Sequence, residues 1–215
     1  LIEGALIVIF VLVILLGSIR GGIITASVIP LALLFAFILM RIFGVWANLM
    51  SLGAIDFGII VDGAVIIVEG ITNKIESRMK KQAQFSQEIM DNISYDSAST
   101  MMNSAFFGQL IILIVFTPIL FLSGVSGKMF QPMAYTFSFA ILGAIILCLT
   151  YVPMISSLLL RPSQNQDSIL ARSENWLKNF SMKLMDKIHT IYEPILDFSL
   201  VHKKLILSIS ILLFI

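Results

Sequence analysis

The sequence predicts an all-α membrane protein, a bundle of apolar helices with one amphipathic helix at its surface, and three observations carry that prediction. Of the 215 residues, 58% are hydrophobic and 13% charged, a balance that excludes an ordinary soluble domain. The apolar residues gather into runs comparable to the roughly 20 residues that cross a hydrocarbon core of about 30 Å. The polar residues collect between those runs, chiefly over 72–104 and 161–204. A net charge of +1 without a long basic patch argues against a nucleic-acid partner. Cys148, the single cysteine, sits in an apolar run, forbids an internal disulfide and reads as packing. The chain opens on Leu1 and closes at Ile215 within an apolar run, so the expectation is a segment of a longer protein to which any activity belongs.

The first span is expected from about Ala5 to Ile19, with Glu3 at its start and a turn from Gly17 to Gly22 carrying Arg20. It is not a signal peptide, since it lacks a basic leader and a small-residue cleavage site and further spans follow. A second span, about Ile23 to Phe43, contains Pro30, which membrane helices tolerate when neighbours re-satisfy the freed carbonyl. Arg41, Trp46 and Asn48 read as an interfacial turn, with Trp46 at anchoring depth. A third span, Leu49 to Val68, carries acids, and residues 1–71 form one transmembrane unit. Residues 72–104 read as a solvated loop, partly helical at best. Residues 105–160 hold a fourth span to Leu122 with Pro118, a tight turn from Ser123 to Phe130, and a fifth span from Pro132 to Leu160 with Pro153.

A polar linker then leads, within residues 161–204, to an amphipathic segment from Glu174 to Pro194. Its Leu177, Phe180, Leu184, Ile188, Ile191 and Ile195 recur at steps of three and four, and Trp176, Lys178, Lys183 and Lys187 suit a helix lying in a membrane surface. His189 and His202 are isolated and read as surface residues. Residues 205–215 begin a further span. If the acidic span ends in the cytoplasm, only Arg41 and Lys128 of the 14 Lys and Arg lie outside, and the positive-inside rule selects that orientation.

The chemistry concentrates in DFGIIVDGAVIIVEG, Asp56 to Gly70, which sets three carboxylates in an apolar run. An ionised Asp near a span centre costs about 2.5 to 3.5 kcal/mol, so these acids should face protein or water. Asp62 and Glu69, two helical turns apart, share a stripe about 10 Å long, whereas Asp56 would lie about 9 Å from Asp62 and about 120° round. One helix therefore cannot bring them onto one ion. Either they pair with basic residues of neighbouring helices, or they mark a proton or ion path. Burial disfavours a charged carboxylate, so changing water access at Asp62 would exchange its neutral and charged forms and bias a conformational change.

The same run resembles the signature DFGxxxDGAxxxVEN of the heavy-metal efflux branch of the resistance-nodulation-division transporters, the cobalt-zinc-cadmium type. SIRGGIITASVIPLALL, Ser18 to Leu34, resembles the family's second-to-third span hairpin, and Phe121 to Pro153 its fifth-to-sixth span segment. The resemblance implies a partial transporter bundle, spans two to six and the start of seven, with a cytoplasmic surface helix. It implies an inner-membrane proton antiporter without a cofactor, a homotrimer joined to a periplasmic membrane-fusion adaptor and an outer-membrane channel, exporting metal cations. It further implies that Asp56, Asp62 and Glu69 match the motif acids, Asp62 being the one most tied to proton relay, and that Gly63 and Ala64 allow close helix approach. The family's basic partner lies on a later helix.

Two positions depart from the pattern. Gly70 replaces the signature's Asn, as Gly suits a helix end, and Thr100 to Ser104 reads TMMNS where Glu-Val-x-x-Pro is usual. The copper and silver branch carries Met where this chain has Ile60 and Ile67, so the missing thioethers favour Zn, Co, Cd or Ni, while Met101, Met102 and Met154 read as packing. A multidrug pump of the same superfamily would place two adjacent Asp at Asp62, where Gly63 follows instead. An intramembrane aspartyl protease needs two acids close enough to share a proton. A non-transporting scaffold would not need the acids.

Overall fold

The structure, a computed structural model, describes residues 2–46, 56–79, 86–160, 169–203, 206–208 and 211. Among them every regular element is a helix: α1 (Ile2–Leu16), α2 (Ile19–Phe43), α3 (Phe57–Met79), α4 (Gln87–Leu120), α5 (Gly124–Leu149), α6 (Tyr151–Leu159) and α7 (Ile169–Val201). Helices α2, α4 and α5 are long and apolar enough to cross a membrane, and α1 is a shorter apolar helix. The first part of the expected acidic span, residues 47–55, lies outside the described residues, as do Asn48, the linker at 161–168 and most of 205–215.

Local chemistry sets the boundaries. The turn expected over Gly17–Gly22 contracts to Gly17, at φ 58°, and Ser18, whose hydroxyl accepts from Gly21 N–H at 3.2 Å and caps α2. Arg20 is thus already helical. Gly44, at φ 67°, ends α2 in the left-handed conformation, its N–H reaching Met40 O. Trp46 follows with 89% of its surface exposed, as an anchor in an interface would be.

The loop expected over residues 72–104 is instead largely helix. Helix α3 continues to Met79, and α4 begins at Gln87 with Ser86 accepting from Ile89 N–H at 3.4 Å. The reason is a buried stripe: Ile71 and Ile75 on α3 meet Met90, Ile93, Ser94 and Ser97 on α4, all at most 5% exposed. Half of the α4 contribution is serine, which hydropathy does not register. Outside the apolar half of α4, the Lys74 ammonium bonds the Asp96 carboxylate and joins the two helices, and that bond holds the Asp96 carboxyl below its usual range.

Two further expectations change. The turn placed at Ser123–Phe130 spans only residues 121–123, and α5 starts at Gly124; Gln131 closes the corner by donating to Leu120 O at 3.0 Å and Leu122 O at 2.8 Å. The fifth span is not continuous to Leu160 but breaks at Thr150 (φ −116°, ψ −63°). Pro153 then falls in the first turn of α6, where its missing N–H has no helical acceptor to lose. Helix α7 extends beyond Glu174–Pro194 at both ends and packs on α1, Ser181 donating to Leu15 O at 3.2 Å. On its apolar stripe Ile188, Ile191 and Ile195 are exposed, as are His189 and His202 on the same helix and just beyond it.

Helix α3 is the centre of the bundle, packing against α1, α2, α4, α5 and α6. Ile60, Val61, Ala64, Ile67, Val68 and Ile71 are at most 1% exposed, and their three- and four-residue spacing turns one broad face of α3 into the core. That arrangement fixes where the acids of the same helix can point.

Candidate functional site

The face of α3 opposite its core carries Asp62 and Glu69, both exposed in this chain, with Val65 and Ile66 half-buried between them. Because the helix is regular from Phe57 to Met79, the two carboxylates share a stripe, as the seven-residue spacing requires. Asp56 is placed differently from the expectation of a mid-helix acid. It precedes the helix, and its Oδ1 accepts from Gly58 N–H at 2.8 Å, so it caps the free N–H groups of α3. Among the described residues neither Asp62 nor Glu69 forms an ion pair, and no three His, Cys, Asp or Glu gather as a cation cage. The three acids remain separate sites along one helix.

Asp62 opens into a cleft of about 250 Å³ between α3 and α4, lined by Asp62, Gly63, Val65 and Ile66 on one side and by Ser104, Ala105, Gly108, Gln109 and Ile112 on the other. This volume accommodates water beside the carboxylate. Gly63 and Ala64 are buried, and a Cβ at Gly63 would lie 2.9 Å from Gln109 Nε2 and 3.1 Å from Cys148 Sγ. The absent side chain is what lets α4 and α5 bring those two groups against α3 next to Asp62. Gln109 was not singled out in the sequence, although a glutamine inside the apolar run 105–122 is the signal that could have found it.

Gly70, expected to suit a helix end, lies in mid-helix. Its carbonyl accepts from Ser97 Oγ at 3.3 Å, and a Cβ would meet Met101 Cγ at 2.9 Å. The signature's Asn would require Met101 to shift, so the departure goes with close packing of α3 on α4. Ile60 and Ile67, at 0% exposure, are core residues that face neither the cleft nor the acidic stripe.

The packed central helix thus carries its two exposed acids on one stripe, with Asp62 lining the cleft between α3 and α4. The AcrB/AcrD/AcrF family model matches residues 1–215, and the chain belongs to that family of resistance-nodulation-division transporters. Within it the chain stands with the heavy-metal efflux branch. It is 40% identical over 211 residues to the cobalt-zinc-cadmium resistance protein CzcA of Cupriavidus metallidurans, covering 98% of this chain and 19% of that protein. It is 43% identical over 164 residues to the nickel and cobalt resistance protein CnrA of the same organism, covering 75% of this chain and 15% of the relative. A crystal structure of a heavy metal efflux pump superposes with a TM-score of 0.59 at 39% identity, over 74% of this chain and 15% of that one. The chain thus spans about a fifth of the length of these relatives or less.

Proposed function

We propose that this chain supplies part of the proton-coupled transmembrane core of an inner-membrane, homotrimeric pump that exports divalent heavy-metal cations of the Zn, Co, Cd and Ni class. Asp62 takes up and releases the driving proton. The observation that carries this reading is the position of Asp62: on the open stripe of the bundle's central helix, lining a largely apolar cleft against α4, with the opposite face of that helix packed. A proton arriving there neutralises a charge whose presence in an apolar bundle is expensive, and that difference is available to tilt the packing of α3 against α4. Glu69 lies two turns along the same stripe and extends the path. Asp56 holds the start of the helix, and Gly63 and Ala64 let the helices close. The open stripe of α3 suits a further helix carrying a basic residue, as the family resemblance implies.

The relatives named for cobalt, zinc, cadmium and nickel support the divalent class, and so does isoleucine at positions 60 and 67, where the copper and silver branch carries thioethers. The exposed apolar stripe of α7 supports a seat in the cytoplasmic membrane surface. The polar ends of α3 and α4 belong to the same side. A periplasmic adaptor and an outer-membrane channel complete the export route.

The test is metal-resolved transport by the full-length pump in proteoliposomes under an imposed pH gradient, comparing Zn(II), Co(II) and Cu(I). Divalent transport is expected to need the gradient and to fall to background in Asp62→Asn. Gradient-driven divalent transport that survives in Asp62→Asn removes the relay assignment. Transport of organic substrates in place of metal would move the chain to the multidrug type.

A further inference from the structure

We propose that Gln109 is a positioning residue of the Asp62 site, its side-chain amide donating to the ionised carboxylate directly or through one water in the cleft. This inference rests on the proton-relay reading of Asp62. Gln109 is 3% exposed, and its Nε2 is buried without a well-formed hydrogen bond, its neighbouring acceptor being the Cys148 thiol. The sulfur of Cys148, across Gly63, is only a weak acceptor. A buried amide without a partner in a membrane bundle costs free energy, and its retention calls for a partner present in some state of the cycle. Gln109 and Asp62 line the same cleft, and the amide comes within 2.9 Å of where a Cβ would stand on Gly63, the residue next to Asp62. An ionised Asp accepts and does not donate, so the amide N–H bonds the charged acid more strongly than the neutral one, whose carbonyl oxygen still accepts.

Among the described residues, the other charged and titratable groups of the neighbouring helices are engaged elsewhere or stand apart from Asp62. Just before α3, Asp56 is engaged in capping, and on the helix Glu69 is two turns from Asp62. The α4 residues lining the cleft carry no charge. From α5 the group present is the Cys148 thiol, and on α6 the Tyr151 hydroxyl is engaged with Ser27 of α2 at 3.1 Å. Arg20 lies on the first turn of α2, beside Leu158 and Leu159 in a separate cleft. Among the described residues the neutral amide of Gln109 is thus the donor placed at the cleft, beside whatever basic residue a further helix brings to the open stripe.

The experiment is an infrared titration of the Asp62 carboxyl band in the full-length pump, the band being identified by its loss in Asp62→Asn, together with the pH profile of Zn(II) transport. Gln109→Met keeps length and removes the donor. It should move both midpoints toward alkaline pH by about one unit while changing the KM for Zn(II) less than about twofold. Gln109→Asn, which keeps the amide on a shorter arm, should give a smaller displacement. Unchanged midpoints in a folded Gln109→Met pump overturn the proposal, and if that variant does not fold, an unchanged midpoint in Gln109→Asn does so. If Asp62→Asn keeps gradient-driven transport, the relay itself falls; if Asp62→Asn abolishes it and Gln109→Met leaves the midpoints in place, only the role of Gln109 falls.

Discussion

Replacing glycine by alanine should have opposite consequences at two positions that line the same cleft. At Gly63 the new methyl would lie 2.9 Å from Gln109 Nε2, 3.0 Å from Gln109 Cδ and 3.1 Å from Cys148 Sγ. Carbon contacts settle near 3.5 to 4.0 Å, so the buried side-chain ends of Gln109 and Cys148, or the helices that carry them, must give by about half an ångström. Overpacking of this kind costs about 1 to 3 kcal/mol, against a helix-propensity gain of roughly 1 kcal/mol for Ala over Gly. The net expectation for Gly63→Ala is a loss of about 0 to 2 kcal/mol. At Gly108 nothing lies within 4 Å, so only the propensity term acts and Gly108→Ala should stabilise by up to about 1 kcal/mol. Thermal unfolding of the detergent-solubilised pump, followed by tryptophan fluorescence, reads both. Because Gln109 supplies two of the three close atoms, Gly63→Ala combined with Gln109→Ala should recover part of the loss, with a coupling of about 0.5 to 2 kcal/mol. If Gly63→Ala raises the melting temperature as much as Gly108→Ala, the close approach of α4 and α5 to α3 is wrong.

Two further outcomes follow from the ends of α3. Asp56→Ala should lower stability by about 1 kcal/mol through loss of the cap on Gly58 N–H, while Asp56→Asn, which still accepts there, should stay near native in both melting and transport; a transport defect in a stable Asp56→Asn pump would return Asp56 to the proton path. The Asp96 carboxyl is held below its ordinary value by Lys74, so its contribution is fully present above that ordinary value and fades as pH falls through the lowered one. Lys74→Met should consequently leave the melting temperature almost unchanged at neutral pH, as for other exposed pairs, and its difference from the native protein should vanish in acid; a growing difference on acidification would contradict the pairing.

The membrane class and the singular position of Asp62 were legible because both rest on quantities a sequence displays directly, the length of apolar runs and a charge within one. The helical extensions of α3 and α4 were not, because their interface uses Ser94 and Ser97, small polar residues that pack closely yet lower mean hydropathy. Asp56 looked like a second membrane acid since its run continues without interruption from Leu49, and only the backbone geometry reveals a cap. The break at Thr150 carried a weak sign in Pro153, which reads equally as a kink until the helix start at Tyr151 is known. Gln109 came into view only through its close approach to Gly63 and the cleft it lines with Asp62.

The continuation of α3 past the apolar zone gives the acid a mechanical reach. From Asp62 to Arg78 the helix runs without a break, a rod of about 24 Å, and it is strapped to α4 by the Ser97 bond to Gly70 and by the Lys74–Asp96 pair. Rotating such a rod by about 5° about Asp62 carries its far end through about 2 Å, with α4 drawn along. On the proton-relay reading, a proton landing at Asp62 would be converted into displacement at the distant polar ends of two helices, a lever whose fulcrum lies at the cleft that Gln109 lines.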